Sequence, residues 1–424
     1  RSRGSDASLR LVGSGEWGWS ALAYVQRREF ESSFASTDRA RTAAFRTALQ
    51  YDVPGRAHGW SVEVRPPIGD TTELRIGSDG RQMRGGSDEL AGYVAGSPTR
   101  DRSSGGESGH AGAFAELTRR EGAFTLSATG RLDRWTITDG RLRERSVATG
   151  QLLVDQQFPR RSGWLPTGRL AGGAALSGAV QLRTAAYFGW RLPTLNELFR
   201  PFRAGIDAVA ANPLLEPERL RGIEAGVDWK GDGASLAVTV FANRLTDPVA
   251  NLTLGTGPGT FPGVGFVAAG GSYRQRRNLD RIDVAGVEAL AGWTRGPWTL
   301  TGSLALADAR VKGDGPAAPL DGLRPAQTSP LSAGASVRWE RDGRSLALSL
   351  RHSGRAYEDD LNRLPLPAAT TVDAAAALPV SPWLTLTARA ENLFDARVIA
   401  GRTADGITER ATPRSLWLGI RIAR

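Results

Sequence analysis

Residues 187–227 decide the fold of this chain: YFGWRLPTLNELFRPFRAGIDAVAANPLLEPERLRGIEAGV. An apolar run ends at Trp190, and a polar segment rich in proline and arginine follows it. The segment then gives way to alternation, with Ile223, Ala225, Val227 and Trp229 on one face and Glu224, Gly226 and Asp228 on the other. A period of two residues is typical of a β-strand with two different faces. The stretch therefore predicts a strand, a long polar loop and a second strand.

Composition limits the kinds of site that the chain can build. Its 424 residues include no cysteine, which excludes disulfide scaffolds and thiolate metal sites. The net charge of +10 rests on arginine, because Lys230 and Lys312 are the only lysines. Such a charge suits nucleic acid, acidic lipid head groups or an anionic ligand, and it equally fits arginines that are simply solvated.

Short turns alternate with long loops along the chain. The predicted strands are 9–12, 17–26, 43–53, 60–64, 113–118, 123–135, 165–176, 179–189, 220–229, 234–244, 282–293, 298–311, 331–340, 344–357, 370–378, 384–390 and 414–422. Residues 54–59 are predicted as a turn, residues 66–109 as a long loop with a small hairpin, and residues 136–161 as another loop. In a closed antiparallel barrel this order puts every tight turn at one end and every long loop at the other.

The chemistry of the strands points to a membrane. Many of them reach the 9–11 residues that cross a bilayer at a tilt. Arg338 and Glu340 fall on an inner face, which is costly in a dry core and cheap in a wet lumen. Tryptophans beside the predicted turns indicate an interfacial belt: Trp17, Trp60, Trp229, Trp293, Trp298, Trp339 and Trp383. We therefore predict an all-β fold, a transmembrane antiparallel β-barrel.

Several motifs add a family resemblance. The run YFGWRLPTLNELF at 187–199 resembles the Y-x-G-F-x-x-P-x-x-x-E-L-F signature of TonB-dependent outer-membrane receptors, and NPLLEPE at 212–218 is similar to the N-P-x-L-x-P-E element of that family. ENLFD at 391–395 matches a third element near the end of the chain. The matching positions, read as loop and turn geometry, are Tyr187, Gly189, Pro193, Glu197, Leu198, Asn212, Pro213, Pro217, Glu218, Glu224, Gly226, Asn392, Leu393 and Phe394.

The resemblance implies a plugged barrel of about 22 strands that imports a scarce ligand with energy from TonB. The hairpin count gives about 17 strands, so residues 1–424 are expected to be the C-terminal part of the barrel. The plug domain, the signal peptide, the TonB box and the first strands are expected to lie outside this chain, which would leave two unpaired strand edges. The implied location is the outer membrane of a Gram-negative type of cell. The implied partners are the TonB complex through the plug, lipopolysaccharide and outer-membrane lipid, and a small ligand, with no nucleic acid.

No pattern for catalysis or metal binding stands out. The histidines at positions 58, 110 and 352 lie in unrelated hairpins, and the glycine-rich tracts lack the strand-turn-helix context of a phosphate loop. We therefore predict no catalytic residue, no metal ligand, no cofactor and no enzyme activity. A soluble carbohydrate-binding propeller or sandwich would show a regular repeat, and the hairpin spacing is irregular. A passive porin-like barrel lacks the motifs quoted above.

The external loop after residue 190 carries the candidate ligand residues: Arg191, Asn196, Glu197, Arg200 and Arg203. Guanidinium groups suit an anionic ligand, and an iron–siderophore chelate is the first candidate. In the alternative interpretation these arginines bind lipopolysaccharide phosphates or pair with Glu197. Cobalamin, haem, a nickel complex and an oligosaccharide remain open as ligands.

Overall fold

The computed structural model describes residues 1–37, 40, 42–94, 96–404 and 406–423. Strands dominate it. In the described residues the first nine strands are β1 (Ser2–Ser14), β2 (Gly18–Thr37), β3 (Ala44–Arg65), β4 (Thr72–Ala91), β5 (Arg100–Glu121), β6 (Phe124–Ser146), β7 (Leu152–Gln157), β8 (Arg161–Ala175) and β9 (Val180–Arg191). The helix α1 (Leu195–Phe199) follows them.

The next strands are β10 (Phe202–Ala204), β11 (Asp207–Ala210), β12 (Glu218–Gly231), β13 (Ala234–Thr246), β14 (Val249–Thr256), β15 (Gly259–Phe261), β16 (Gly265–Val267) and β17 (Ser272–Asn278). The last are β18 (Arg281–Arg295), β19 (Trp298–Lys312), β20 (Leu331–Arg341), β21 (Arg344–Ser353), β22 (Ala356–Tyr357), β23 (Pro365–Leu366), β24 (Ala369–Ser381), β25 (Leu384–Glu391), β26 (Ile399–Arg402), β27 (Thr408–Arg410) and β28 (Ser415–Ile422). A 3₁₀ helix at Gly315–Leu320 lies between β19 and β20.

One large antiparallel sheet organises these strands. Its order follows the chain: β1 to β6, then β8, β9, β12, β13, β18 to β21, β24, β25 and β28. The strand β7 pairs with β6 in line with β8, so the two share one position and the sheet is 17 strands wide. Within the described residues, β1 and β28 each have a neighbour on one side only. The predicted strand count and the antiparallel membrane-barrel fold are confirmed.

The connections fall at two opposite ends of the sheet. Tight turns such as those between β5 and β6 or between β20 and β21 lie at one end, here called the turn end. The connections between β9 and β12 and between β13 and β18 lie at the other, here called the loop end, because successive antiparallel strands reverse direction. The predicted alternation of short turns and long loops is confirmed.

Side chains alternate between the two faces of the sheet as predicted. On β12, Ile223 and Val227 are 61% and 42% exposed, while Glu224 lies on the opposite face. Trp298 and Trp339 are directly opposite each other on neighbouring strands at the turn end. Large apolar side chains are exposed along these outward faces, as a lipid-facing surface requires.

The prediction of two separate strands at 43–53 and 60–64 was wrong, because they form one strand. The strand β3 runs unbroken through residues 54–59, which were predicted as a turn. Pro54 is tolerated there because the pairing of β3 with β4 passes from Asp52 to Gly55, so the missing N–H removes no hydrogen bond from that ladder. Trp60 consequently lies inside a strand and not beside a turn, although its side chain still faces outward and is 43% exposed.

Two predicted loops were also wrong. Residues 66–109 contain β4 and the start of β5, and residues 136–161 contain the end of β6 and all of β7. These segments are rich in Gly, Ser, Asp and Arg, which are poor strand formers in isolation. They are strands because long neighbours hydrogen-bond to them on both sides.

The sheet therefore has two unequal parts. The strands β2 to β6, here called the tall wall, are 20 to 23 residues long. The strands β18 to β21, β24, β25 and β28, here called the short wall, are 8 to 15 residues long. Folded loops cover the loop end, including a small sheet in the order β10-β11-β17-β14. The buried apolar clusters of the described residues lie in this region, against the loops.

Candidate ligand site at the loop end

The helix α1 builds the first part of the site. Thr194 caps it: the Thr194 hydroxyl accepts from the Glu197 amide at 3.2 Å, and the Glu197 carboxylate accepts from the Thr194 amide at 2.6 Å. This reciprocal capping box stabilises a helix that would be too short to form alone. Leu195, Leu198 and Phe199 are buried on its inner side.

The buried side of α1 packs against the inner face of the barrel. The cluster contains Leu195, Leu198, Phe199 and Leu215 from the loop, and Trp135, Ile137 and Leu165 from β6 and β8. Leu198 and Leu215 are completely buried. The interruption between β7 and β8 contributes Phe158, whose ring stacks on Phe199 at 5.3 Å between centroids. The loop is thus fixed to the wall by a hydrophobic core.

Ion pairs join the ends of the same loop. Arg191 donates to the carboxylates of Glu218 and of Glu197, the latter at 3.1 Å. Glu218 also accepts from the Val249 amide at 2.6 Å, which links the loop to β14. Burial acts to raise the pKa of Glu197, but hydrogen bonds from Arg191 and the Thr194 amide outweigh it, so the pKa lies below its usual value of 4.5.

A buried carboxylate connects the loop to the tall wall. Glu89, which is 2% exposed, accepts from Arg200 at 2.6 Å and from Arg102 at 3.0 Å. Arg102 also donates to Glu144 at 2.5 Å and to the Pro201 carbonyl at 3.1 Å. Two guanidiniums therefore share two carboxylates in a largely dry environment, where pairing offsets the desolvation of each charge.

Arg276 is a buried cation without a carboxylate partner among the described residues. It donates to the carbonyls of Asn196 and Arg200 at 2.7 Å each, and its guanidinium lies 5.0 Å from the centre of the Phe202 ring. Burial lowers its pKa to about 10, so it remains charged at neutral pH. The Asn196 carbonyl also accepts from the Arg200 amide at 3.1 Å, and the partial negative charge of the carbonyls at the end of α1 favours a cation at this position. The residue thereby fastens β17 to α1.

Asn212 and Arg203 join the two loops on either side of that contact. Asn212 donates to the Arg276 carbonyl at 2.9 Å and accepts from the Leu214 amide at 3.0 Å. Arg203 donates to the carbonyls of Val264 and Phe266 at 2.6 and 2.7 Å. Burial lowers the pKa of Arg203, and the nearby charge of Arg102 acts in the same direction.

These elements enclose a cavity of about 1310 Å³ between the tall wall and the loops, here called the loop-end cavity. Its charged lining consists of Arg46, Arg100, Arg102, Arg200, Arg203, Glu89 and Glu144. Its aromatic lining consists of Phe34, Phe45, Tyr93, Phe202 and Phe266. A large cavity with cationic and aromatic walls suits an anionic ligand that has flat apolar parts.

The five predicted ligand residues separate in the structure. Arg200 and Arg203 line the loop-end cavity, and Arg191 lines a second cavity of about 550 Å³. Asn196 and Glu197 do not line either of these two cavities. Asn196 is exposed, and its carbonyl holds Arg276.

The family-motif residues outside this loop lie on the inner face and at a turn. Tyr187 donates to the Asn243 side chain at 2.9 Å. A side chain at Gly226 would contact the Arg183 guanidinium, 2.8 Å from the ideal Cβ position. Asn392 has a left-handed backbone (φ 48°), accepts from the Ala396 amide at 2.8 Å and donates to the Ala396 carbonyl at 2.9 Å. Within the loop, the family-motif residues Pro193, Pro217 and Leu198 are fully buried.

Sequence reasoning missed Glu89, Arg100 and Arg102 because their segment was predicted as a loop. One signal was available: Arg100 and Arg102 are two residues apart and share one face if the segment is a strand. Arg276 carried no such signal, because its partners Asn196 and Arg200 are distant in sequence.

Neither a cluster of metal-ligating side chains nor a membrane-spanning helix occurs in the part of the chain that the structure describes. No group of three His, Cys, Asp or Glu side chains could hold a metal ion there. None of the helices in the described residues is long and apolar enough to span a membrane.

Comparison with known proteins agrees with the architecture. Residues 3–393 match the family "TonB dependent receptor-like, beta-barrel". A vitamin B12 transporter, BtuB of Photobacterium profundum, is 24% identical over 290 residues, which is 68% of this chain and 42% of that protein.

Two solved structures share the fold at low identity. The ferric yersiniabactin uptake receptor FyuA of Yersinia pestis gives a TM-score of 0.74 at 16% identity, covering 99% of this chain and 61% of that one. The copper transporter OprC gives a TM-score of 0.77 at 19% identity, covering 99% and 65%. The chain thus spans less than two thirds of the length of these relatives. Because the family match covers most of its residues, the chain belongs to the β-barrel family of TonB-dependent receptors.

Proposed function

We propose that this chain forms the wall and outer loops of an outer-membrane receptor for TonB-energised uptake of a scarce ligand, with an iron–siderophore complex as the ligand. The loop-end cavity is the observation that carries the proposal. Its volume of about 1310 Å³ exceeds the roughly 300–1,000 Å³ of ordinary small-molecule sites, which leaves room for a large chelate.

The charge of the cavity supports an anionic ligand. The carboxylates of Glu89 and Glu144 are already engaged by Arg102 and Arg200. Arg100 makes no ion pair with a described residue, and Arg203 donates only to carbonyl oxygens. Guanidiniums without carboxylate partners are free to bind the oxygens of a ferric chelate, because their planar donor groups match carboxylate and related oxyanions.

Family membership supports the location and the partners. TonB-dependent receptor barrels are outer-membrane proteins, and the exposed apolar side chains of β12 and β19 fit a lipid-facing surface. The turn end then faces the periplasm and the loop end faces the exterior. The TonB complex would act through a plug domain, and transport would consist of binding and gating without covalent chemistry.

Cobalamin is the second candidate ligand. The similarity to a protein named as a vitamin B12 transporter over 68% of this chain favours it. A corrin ring also suits the aromatic side chains that line the loop-end cavity.

Ligand binding by the full-length receptor tests the proposal. We would titrate it in detergent with ferric catecholate, hydroxamate and carboxylate chelates and with cyanocobalamin, following tryptophan fluorescence. The variant Arg100→Gln/Arg203→Gln should weaken binding of the recognised ferric chelate by about 100-fold or more, since two charge-assisted hydrogen bonds worth about 1.5–3 kcal/mol each are lost. The matched control is Arg341→Gln/Arg344→Gln at the turn end, which should leave the affinity unchanged.

Two outcomes would overturn the proposal. Binding of cyanocobalamin without any ferric chelate would replace the ligand by the second candidate. Ligand entry into cells that continues at the same rate after TonB is deleted would indicate a passive, porin-like barrel.

A further inference from the structure

A row of arginines crosses the outward face of the tall wall. Arg27 of β2 is directly opposite Arg56 of β3, and Arg56 is directly opposite Arg84 of β4. The residues that share this face nearer the turn end are apolar and exposed, such as Val25 at 56% and Trp60 at 43%. The row therefore lies on the lipid-facing side of the sheet and not in the lumen.

The position of the row along the strand corresponds to the edge of a bilayer. On β3, outward positions run from Val64 near the turn end through Trp60 to Arg56. At about 3.3 Å per residue this is roughly 26 Å of strand, or about 20 Å of depth at a tilt of about 40°. The apolar band of such barrels is about 25 Å tall, so Arg56 lies within about 5 Å of the boundary farther from the turn end.

Nearby carboxylates offset only part of the repulsion within the arginine row. Like charges directly opposite each other on neighbouring strands destabilise a sheet. Arg27 pairs with Glu29 at 2.6 Å and Arg84 with Glu107 at 3.3 Å. Arg56, between them, forms no ion pair with any described residue.

A cavity of about 360 Å³ lies beside the row. Its charged lining is Arg56, Arg84, Arg141 and Asp139, and the rest is glycine backbone and Pro54. Arg141 also has no ion pair with a described residue. Of the three guanidiniums that line the cavity, only that of Arg84 has an ion-pair partner, Glu107, and Asp139 is the one carboxylate in the lining. The glycines leave room for an anion to approach the backbone.

We infer that this cavity binds a phosphate group of a lipid in the outer leaflet. The inference rests on the proposed outer-membrane location, which makes a phosphorylated glycolipid such as lipopolysaccharide the lipid at this depth. A phosphate accepts several parallel hydrogen bonds from guanidiniums, and its negative charge offsets the repulsion among the arginines. Its acyl chains would then lie along the apolar face that carries Val25 and Trp60.

Lipid binding to the full-length receptor in nanodiscs tests the inference. The probes are diphosphorylated lipid A and the same lipid after enzymatic removal of both phosphates. The variant Arg56→Gln/Arg84→Gln/Arg141→Gln should raise the apparent Kd for the phosphorylated lipid about 100-fold, since each arginine near a membrane surface is worth about 1 kcal/mol or more. The control variant Arg295→Gln/Arg341→Gln/Arg344→Gln removes the same charge at the turn end and should change the Kd less than about twofold.

Three results would overturn the inference. The first is equal affinity of the unmodified receptor for both lipids, and the second is an unchanged Kd in the triple variant. The third is inorganic phosphate that binds through the same arginines as tightly as the lipid, which would make the cavity a site for a free anion. Should the triple variant not fold, Arg56→Lys retains the charge, loses the planar donor group and should still weaken lipid binding severalfold.

Binding of the soluble ligand in the same preparation separates the two proposals. The triple variant should keep its affinity for that ligand. If the unmodified receptor binds the soluble ligand but not the phosphorylated lipid, only the inference about the arginine row fails. If it binds neither a ferric chelate nor cyanocobalamin, only the proposed function fails.

Discussion

The tall wall and the short wall hold their loops in different ways. At the tall wall, Arg200 of the loop enters the inner face of the strands and pairs with the buried Glu89. At the short wall, Val311 of β19 packs with Leu252, Leu279, Ala317 and Leu320 of the loops in an apolar core. The first attachment adds a buried ion pair to the apolar contacts of α1 with Trp135 and Ile137 of β6, whereas the second depends on apolar burial.

The difference follows from what each wall offers above the membrane. The tall wall continues beyond the apolar band with strands whose inner faces are polar, such as Gln50 and Ser87, which hydrogen-bond to each other at 3.0 Å. Where a loop covers such polar positions, it needs polar groups that satisfy them. The short wall ends sooner, and its long connections have enough apolar residues to bury one another.

The largest expected effect is at the buried carboxylate. Glu89→Gln should lower the free energy of opening of residues 195–204 by about 3–5 kcal/mol, because Arg200 would be left buried without its carboxylate partner. Hydrogen exchange of that segment in the full-length receptor measures this. The control Glu121→Gln removes an exposed pair with Arg119 and should cost less than about 1 kcal/mol. Equal effects of the two variants would remove the distinction between the walls.

The second prediction concerns the membrane-spanning parts, where the walls should be alike. Ala23→Arg in the tall wall and Leu348→Arg in the short wall each place a cation on the lipid-facing side and should each cost about 2–4 kcal/mol near the middle of the bilayer. Unfolding by guanidinium in lipid vesicles measures the loss. Ser349→Arg, on the lumen side of the same strand, is the matched control and should cost much less. A large cost at only one of the two walls would contradict a common bilayer depth.

The smallest expected effect is a pH dependence of opposite sign in the two regions. The Glu197 pKa lies below 4.5, so its stabilisation is complete above that value and is lost as the pH falls through the lower pKa. Burial raises the pKa of Glu358, in the loop of the short wall, above 4.5. Its destabilisation is relieved as the pH falls from neutral through that raised pKa, because the buried carboxylate takes up a proton.

Hydrogen exchange between pH 7 and pH 4, corrected for the intrinsic rate, should therefore show weaker protection at residues 194–200 and stronger protection at residues 356–366. The variants Glu197→Gln and Glu358→Gln should each abolish the change in its own segment. Parallel changes in both segments would show that these carboxylates do not control it.

The sequence predicted the barrel because its evidence is periodic and local. Alternation such as that of residues 223–229 and tight turns such as 341–344 do not depend on distant residues. The tall wall was harder to predict: β4 and β5 are strands only because their neighbours pair with them. Their glycine and serine content predicts a loop when each segment is considered alone.

The site was predictable only in part for the same reason. The segment at 187–218 gave Arg200 and Arg203, which line the loop-end cavity. The partner of Arg200 is Glu89, more than a hundred residues away, and that of the α1 carbonyls is Arg276. No spacing rule relates such pairs, because only the closure of the barrel brings them together.

The small sheet at the loop end affects how fast and how tightly a ligand can bind. Its strands β10 and β11 come from one long connection and β14 and β17 from another, joined by parallel pairing of β11 with β17. Two connections that are already hydrogen-bonded to each other have little conformational freedom left to lose when a ligand arrives. The entropic cost of association is then small, so most of the contact energy can appear as affinity. A dilute ligand can thus be captured in a single encounter with an ordered surface.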